Sequence, residues 1–346
     1  SYRTTTNSAR VSGGNDRAWL AISGQQRRTD GFNISLQGDE RDGSVLSNFS
    51  AKAGVKLTDD ITTEVVLRNT RNRLDRDGYG TSSPDKLAAP YDDLSKSMTS
   101  VWQTGVHVRW DMLEGKLTHA FKANRTTTQS WDDDASFGFR SLNASAANRY
   151  GYAATYRFET PMMVAVRHSL TGLVEKQTEA FTPSSDFADG FERTRGLTAV
   201  AGEHRVEIAD RLFVAGTLRR DDHDTFKDFT TWRASASLKL TEIGLRPHAG
   251  IGTGVRLPTM FEQFGFIPSQ FTPNPNLTPE ESRGWDAGVE LTLVPGKASV
   301  DVTYFRTDLT NKIDGFAQGP NFTLTSKNIS GEGLREGVET AAKVRL

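Results

Sequence analysis

The sequence predicts an all-β protein, an antiparallel up-and-down transmembrane β-barrel. Three observations predict this fold class. Apolar and polar residues alternate along most of the chain, the connections between alternating segments are short and long in turn, and helical periodicity is hard to find. A transmembrane barrel has this pattern because every second residue faces lipid and because its two ends carry turns and loops of different length.

The alternating segments define about fifteen strands. We expect them near residues 3–12, 17–27, 47–57, 61–70, 100–110, 116–125, 147–158, 163–177, 194–202, 211–221, 230–240, 246–255, 283–293, 298–308 and 333–346. Their short connections fall at 13–16, 58–60, 111–115, 159–162, 241–245 and 294–297, with 203–210 slightly longer. The long connections fall at 28–46, 71–99, 126–146, 178–193, 222–229, 256–282 and 309–332. A soluble β-sandwich has no reason to alternate short and long connections, whereas an outer-membrane barrel has short turns at one end and long loops at the other.

The two faces of the strands indicate the solvent on each side. One face is apolar, and the other is rich in Gly, Ser, Thr, Asn and charged residues, which suits a wide, wet lumen. Trp102 and Trp110 share the apolar face of one strand. At about 3.4 Å per residue they lie roughly 27 Å apart along the strand, or roughly 20 Å of depth at a tilt of about 40°. That depth is close to the spacing of two interfacial aromatic girdles. The alternative is a soluble β-sandwich with aromatic cross-strand pairs.

Composition excludes several classes of protein. The net charge of −1 gives no sign of a nucleic-acid partner, and the absence of cysteine excludes disulfides and thiolate metal sites. The chain has no stretch of about 18 apolar residues, which a membrane-spanning helix needs. It also carries no nucleophile elbow, phosphate loop or metal-ligand helix motif, so we expect no enzyme.

Several segments resemble TonB-dependent outer-membrane receptors, in family order along nearly the whole chain. The most specific are "GTGVRLPTMFEQFG" (Gly252–Gly265) and "NPNLTPEESRGWDAGVE" (Asn274–Glu290), which resemble the family's Arg-x-Pro box and the run that starts the next strand. The other segments are "SGGNDRAWLAISGQQRRTDGFN" (Ser12–Asn33), "RRDDHDTFKDFTTWRASASLKL" (Arg219–Leu240), "YFRTDLTNKI" (Tyr304–Ile313) and "GLREGVETAAKVRL" (Gly333–Leu346).

The resemblance implies energy-coupled uptake across the outer membrane of a Gram-negative bacterium, with the TonB–ExbB–ExbD system as partner through a plug domain. Family barrels have 22 strands, so we expect residues 1–346 to be a partial barrel domain that lacks the plug and the C-terminal strands. The expected ligand is a ferric siderophore, with cobalamin as the alternative. Haem ranks below both, because residues 259–273 contain no histidine between the two family motifs. A passive porin or a surface adhesin is the alternative from a different class.

The candidate ligand-binding residues lie on predicted external loops. Four phenylalanines of one loop suit a planar, catecholate-type ligand, although a loop that packs on itself explains them too: Phe261, Phe264, Phe266 and Phe271. Two arginine groups, Arg71 with Arg73 and Arg193 with Arg195, suit an anionic chelate, although solvated strand ends explain them equally well.

Acidic clusters and the inner face supply the remaining candidates. Oxygen clusters on external loops can hold a structural calcium ion, and the alternative is a solvated turn. The acidic candidates are Asp75 and Asp77, with Asp85 nearby, and Asp132, Asp133 and Asp134. We expect no other cofactor. The predicted lumen-lining residues are His107, Arg109, Lys239, Asp286 and Glu290, which would contact the plug or water.

Overall fold

The computed structural model describes residues 2–35, 39–80, 89–135, 138–187, 189–267, 271–320 and 323–345. One antiparallel sheet of fifteen strands dominates it, and every strand pairs with its neighbours in chain order. Its strands are β1 (Thr5–Gly14), β2 (Ala18–Thr29), β3 (Ser44–Lys56), β4 (Ile61–Asp75), β7 (Lys96–Met112), β8 (Leu117–Asp134), β9 (Phe139–Thr160), β10 (Val166–Ser185), β11 (Arg193–Ile208), β12 (Leu212–His223), β13 (Phe229–Leu238), β14 (Leu245–Arg256), β16 (Glu280–Val294), β17 (Ala298–Thr310) and β20 (Glu332–Val344).

Smaller elements cluster at one end of this sheet. They are the hairpin β5 (Gly78–Gly80) and β6 (Ala89–Tyr91), the helix α1 (Met260–Phe264), and a three-stranded sheet of β15 (Phe271–Thr272), β18 (Ile313–Gln318) and β19 (Leu324–Asn328). We call this end the long-loop end and the opposite end the short-turn end. No helix in the described part of the chain is both long enough and apolar enough to cross a membrane.

The structure confirms the predicted fold class and a strand at each of the fifteen predicted places. The strand predicted at 298–308, for example, is Ala298–Thr310. Strand registers carry the alternation from strand to strand, so Trp110 lies opposite Ile61 on one neighbour and His119 on the other. The sheet therefore has one continuous apolar face and one continuous polar face.

The polar face is the concave one. A cavity of about 1340 Å³ is lined by residues from strands as distant as β9 and β17, and its charged members belong to the polar face, including Arg157, Glu207, Arg246 and Asp301. Side chains separated by an intervening strand also meet on this face. His248 on β14 lies 2.9 Å from Asp301 on β17, across β16. We call this the inner face and the apolar one the outer face.

Two predicted long loops are wrong. Most of residues 126–146 belongs to β8 and β9, which leave only residues 135–138 between them, and β10 extends through Ser185. Alternation ends before the strands do, because beyond a membrane both faces of a hairpin meet water while its backbone ladder continues. The helix α1 was also not predicted. Its local signal is the capping box formed by Thr259 and Glu262.

Candidate functional site

The loop of residues 257–279 folds onto the inner face of β10 and β11 at the long-loop end. Arg195 holds it there. Its Nε donates to Glu179 Oε2 over 2.6 Å, and its Nη1 donates to the Pro258 carbonyl over 2.7 Å. A longer contact of 3.4 Å reaches Gln263 Oε1, and the Gln263 side chain is only 1% exposed. The guanidinium thus joins a strand carboxylate to the loop backbone.

Two of the four predicted phenylalanines form the packed core of this loop. The rings of Phe261 and Phe271 stack at 5.0 Å, and Phe181 of β10 meets Phe261 edge-on at 6.4 Å. Phe271 and Phe181 are both buried. The interpretation of a loop packing on itself therefore describes Phe261 and Phe271 well.

The other two phenylalanines border a hollow that opens at the surface. The Arg193 guanidinium lies 5.9 Å above the Phe264 ring, within cation–π range, and the Phe266 side chain is 40% exposed. The hollow measures about 310 Å³. Its apolar and charged lining residues are Pro183, Asp189, Phe191, Arg193, Phe264, Phe266, Pro273 and Pro275. Our sequence analysis missed Phe191, although it precedes Arg193 by only two residues.

The "NPNL" run joins two long loops. Asn274 donates from Nδ2 to the Ser326 carbonyl over 2.9 Å, and Asn328 donates in return to the Thr278 carbonyl over 2.9 Å. Leu277 between them is only 3% exposed. The NPNL run thus connects the loop of residues 257–279 to the loop of residues 311–331.

Asp75 and Asp77 belong to an acidic cluster with Glu40, Asp42 and Asp92. Burial is the main cause that raises the pKa of Glu40, Asp42 and Asp77, and repulsion among the carboxylates adds to it. Within the described chain, one carboxylate oxygen each of Asp42, Asp75, Asp77 and Asp92 is buried without a hydrogen-bond partner. Asp85 lies outside the described residues.

The structure does not bring Asp132, Asp133 and Asp134 together. They lie at the end of β8, not in a loop, and strand alternation directs Asp133 to the face opposite its neighbours. Asp132 accepts a hydrogen bond from Ser97, and Asp133 lies 3.4 Å from Arg140. No group of three or more His, Cys, Asp or Glu side chains in the described ranges is arranged to hold a metal ion.

The strand registers place the predicted lumen-lining residues His107, Arg109, Asp286 and Glu290 on the inner face. His107 contacts Asn124 at 3.2 Å, and Arg109 binds Asp111 through two bonds of 2.7 Å. Glu290 pairs with Arg246 at 2.6 Å, and Asp286 lies 3.9 Å from Arg233. Lys239 directly follows β13, and its N–H continues the ladder by donating to the Arg211 carbonyl over 2.8 Å.

The comparisons with known proteins agree with this geometry. The family model "TonB dependent receptor-like, beta-barrel" matches residues 1–346. A crystal structure of the siderophore receptor PirA from Acinetobacter baumannii is similar, with a TM-score of 0.77 and 14% identity over 99% of this chain and 57% of that chain. The Serratia marcescens hemophore receptor HasR, in complex with its hemophore HasA and heme, gives a TM-score of 0.76 and 15% identity over 98% of this chain and 60% of that chain.

A third similar structure is the RagAB peptide importer, with a TM-score of 0.67 and 11% identity over 99% of this chain and 48% of that chain. At these identities the likeness shows the fold alone. This chain spans about half to three-fifths of the length of the chains that it matches.

Proposed function

Because the chain belongs to the TonB-dependent receptor β-barrel family, we propose that it is part of an outer-membrane receptor that takes up a ferric siderophore in an energy-coupled step. The observation that carries the proposal is the loop of residues 257–279. It folds over the inner face and borders an aromatic hollow at the long-loop end, where Arg193 lies against the Phe264 ring. A ligand that arrives from outside would meet this hollow before it meets the lumen.

The chemistry of the hollow favours a planar, anionic chelate. Phe264 and Phe266 offer ring faces or edges for stacking, and Arg193 offers a charge that is not committed to a carboxylate in the described part of the chain. Arg195 differs from Arg193, because its guanidinium is bound to Glu179 and Pro258. We therefore assign ligand contact to Arg193 and loop positioning to Arg195.

Cobalamin is the second candidate, since an aromatic hollow also suits a large planar ring system. Haem stays third, because the loop of residues 257–279 supplies no histidine, although a hemophore receptor is among the similar structures. The family membership supports a receptor over a passive porin or an adhesin.

The inner face suits contact with a plug domain. Its charged side chains form ion-pair networks that stay partly exposed to the lumen. Arg219, for example, lies 3.2 Å from Glu175 across β11 and 2.8 Å from Asp221 on its own strand. A plug held by many such polar contacts can rearrange without exposing apolar surface. We propose that the TonB–ExbB–ExbD system acts on this chain through such a plug.

We also propose the acidic cluster around Asp75 and Asp77 as the place of a structural calcium ion, which would have to draw the carboxylates together, since they are not arranged to hold a metal ion in the described chain. Its support is the set of buried carboxylate oxygens without hydrogen-bond partners, since oxygen ligands are those that calcium prefers. Asp42 and Asp92 would share the site. The triplet of residues 132–134 has no comparable support.

The test measures binding of a ferric tris-catecholate, cobalamin and haem to the full-length receptor. Replacing Phe264 and Phe266 by alanine should weaken ferric catecholate binding roughly fivefold to 150-fold, from about 0.5–1.5 kcal/mol per ring. Phe49→Ala, on the outer face, is the matched control and should leave binding unchanged. If none of the three ligands binds, and deletion of the gene causes no growth defect when iron or cobalamin is scarce, the proposed function is wrong.

A further inference from the structure

Two histidine side chains meet on the outer face near the short-turn end. His168 is the third residue of β10, and the strand registers through β8 and β9 place it on the same face as Trp110. His204 of β11 lies directly opposite Leu170, two residues along from His168. The Nδ1 atom of His168 is 3.2 Å from the Nε2 atom of His204, and the two ring planes differ by 15°. We call these two residues the histidine pair.

Two further contacts orient the His168 ring. Its face stacks on Phe158 of β9, with the ring centroids 4.6 Å apart. Its Nε2 atom lies 3.0 Å from the Thr160 hydroxyl oxygen. When His168 carries its proton on Nε2, this N–H donates to Thr160, and the lone pair of Nδ1 faces His204. The ring is therefore held with one nitrogen on the hydroxyl group and the other available to a second partner.

The surroundings of the histidine pair supply no charge of opposite sign. In the part of the chain that the structure describes, neither ring forms an ion pair with a carboxylate, whereas His248 on the inner face is 2.9 Å from Asp301. Two neutral imidazoles at this distance can share one proton, and a second proton would put two positive charges side by side. A metal ion that takes both lone pairs can replace the shared proton. The outer-face residues directly opposite the two histidines are Phe158, Leu170, Val206 and Gly216.

The separation of the two nitrogens fits one zinc ion. Zinc binds histidine nitrogen at about 2.0–2.1 Å and prefers tetrahedral geometry. Two nitrogens 3.2 Å apart subtend an angle of about 100–106° at an ion at that distance, which is close to the tetrahedral value. The rings point toward each other with their centroids 5.4 Å apart, so a tilt of both rings, without movement of the strands, would direct both lone pairs at one ion. Thr160 would then accept the hydrogen bond that a metal-bound histidine donates from its other nitrogen.

We propose that the histidine pair binds Zn²⁺, and that the ion links β10 to β11 at the short-turn end. Two imidazoles leave the remaining coordination positions to water, which agrees with the absence of a metal-holding group of three or more His, Cys, Asp or Glu side chains among the described residues. Calcium is not expected here, because it takes oxygen ligands. The site lies at the opposite end of the sheet from the hollow beside Phe264, so it is separate from the proposed ligand site and does not depend on siderophore uptake.

The experiment measures the Zn²⁺ affinity of the full-length receptor, without a polyhistidine tag, by competition with a zinc-binding dye in neutral detergent. Excess calcium is present so that carboxylate clusters do not take up zinc. The test variants are His168→Gln, His204→Gln and Thr160→Val. The matched control is His119→Gln on the same face, because His119 is bonded to Tyr152 and not to a second histidine. We expect the affinity to fall roughly 100-fold in each of the two test histidine variants, roughly tenfold in Thr160→Val, and less than about twofold in the control.

X-ray absorption at the zinc edge identifies the ligands and should show two imidazoles at Zn–N distances of about 2.0–2.1 Å. Three results would overturn the proposal: a parent receptor that binds no zinc, a folded His168→Gln or His204→Gln variant that binds zinc like the parent, or a bound zinc ion with fewer than two imidazole ligands. Circular dichroism and the mobility of the unboiled barrel in gels show whether each variant has kept its fold, and Thr160→Val leaves both rings in place. A receptor that takes up no siderophore but loses zinc in these two variants refutes the proposed function alone.

Discussion

Replacing Arg195 by methionine should release the loop of residues 257–279 from the inner face. The change removes the bonds from the guanidinium to Glu179, Pro258 and Gln263, and it leaves the Glu179 carboxylate without its partner. Breaking a buried ion pair costs about 3–5 kcal/mol. The side chain of Glu179 is 25% exposed and that of Arg195 is 11% exposed. Solvent screening therefore lowers the expected cost to about 2–3 kcal/mol.

Hydrogen exchange of peptides from residues 257–279 measures the loss of free energy that holds this loop on the inner face. About 2–3 kcal/mol corresponds to a roughly 30- to 150-fold increase in the opening equilibrium. Arg220→Met is the matched control, because Arg220 is 56% exposed and its ion pairs are on the surface. Adding Glu179→Gln to Arg195→Met should restore part of the protection, since the unpaired charge is gone. Unchanged exchange in Arg195→Met would show that Arg195 does not hold the loop.

Two further predictions concern the acidic cluster and the inner face. The raised pKa of Glu40, Asp42 and Asp77 means that the folded loop binds more protons than the unfolded loop. The measurement is hydrogen exchange of residues 39–43, corrected for the intrinsic exchange rate at each pH. With EDTA present, protection from exchange should be greatest below about pH 4 and should fall as the pH rises through the raised pKa values. Calcium should restore the protection at neutral pH. Protection that rises with pH in EDTA would contradict this. On the inner face, a Cβ at Gly288 would lie 2.3 Å from Thr303 Oγ1 and 2.7 Å from the His248 ring. Gly288→Ala should therefore destabilise the sheet by about 1–3 kcal/mol. Gly172→Ala is the control, because the space around Gly172 is open and the change should not destabilise the sheet. Equal thermal stability of the two variants would refute this account.

The main sheet was predictable because each of its strands follows the local alternation of apolar and polar residues. A strand between lipid and a wet lumen must alternate, so residues 298–308 alone predict the strand that the structure places at Ala298–Thr310. The same rule places His107, Arg109, Asp286 and Glu290 on one face without any knowledge of their partners.

The candidate site was only partly predictable. The four phenylalanines are neighbours in sequence, yet Phe261 and Phe271 pack inside the loop while Phe264 and Phe266 border a surface hollow. Phe191 joins them from a different hairpin. No periodicity separates these roles, because a loop in water has no lipid boundary to impose one.

Alternation along the chain is enough to predict the class of fold, the number and places of the strands, and the face on which their side chains lie. These follow from a repeat of two residues and from the sorting of short and long connections. The role of Arg195 depends on contacts that no local pattern contains, because its partners Pro258 and Gln263 lie 63 and 68 residues away and meet it only when the loop folds over the inner face.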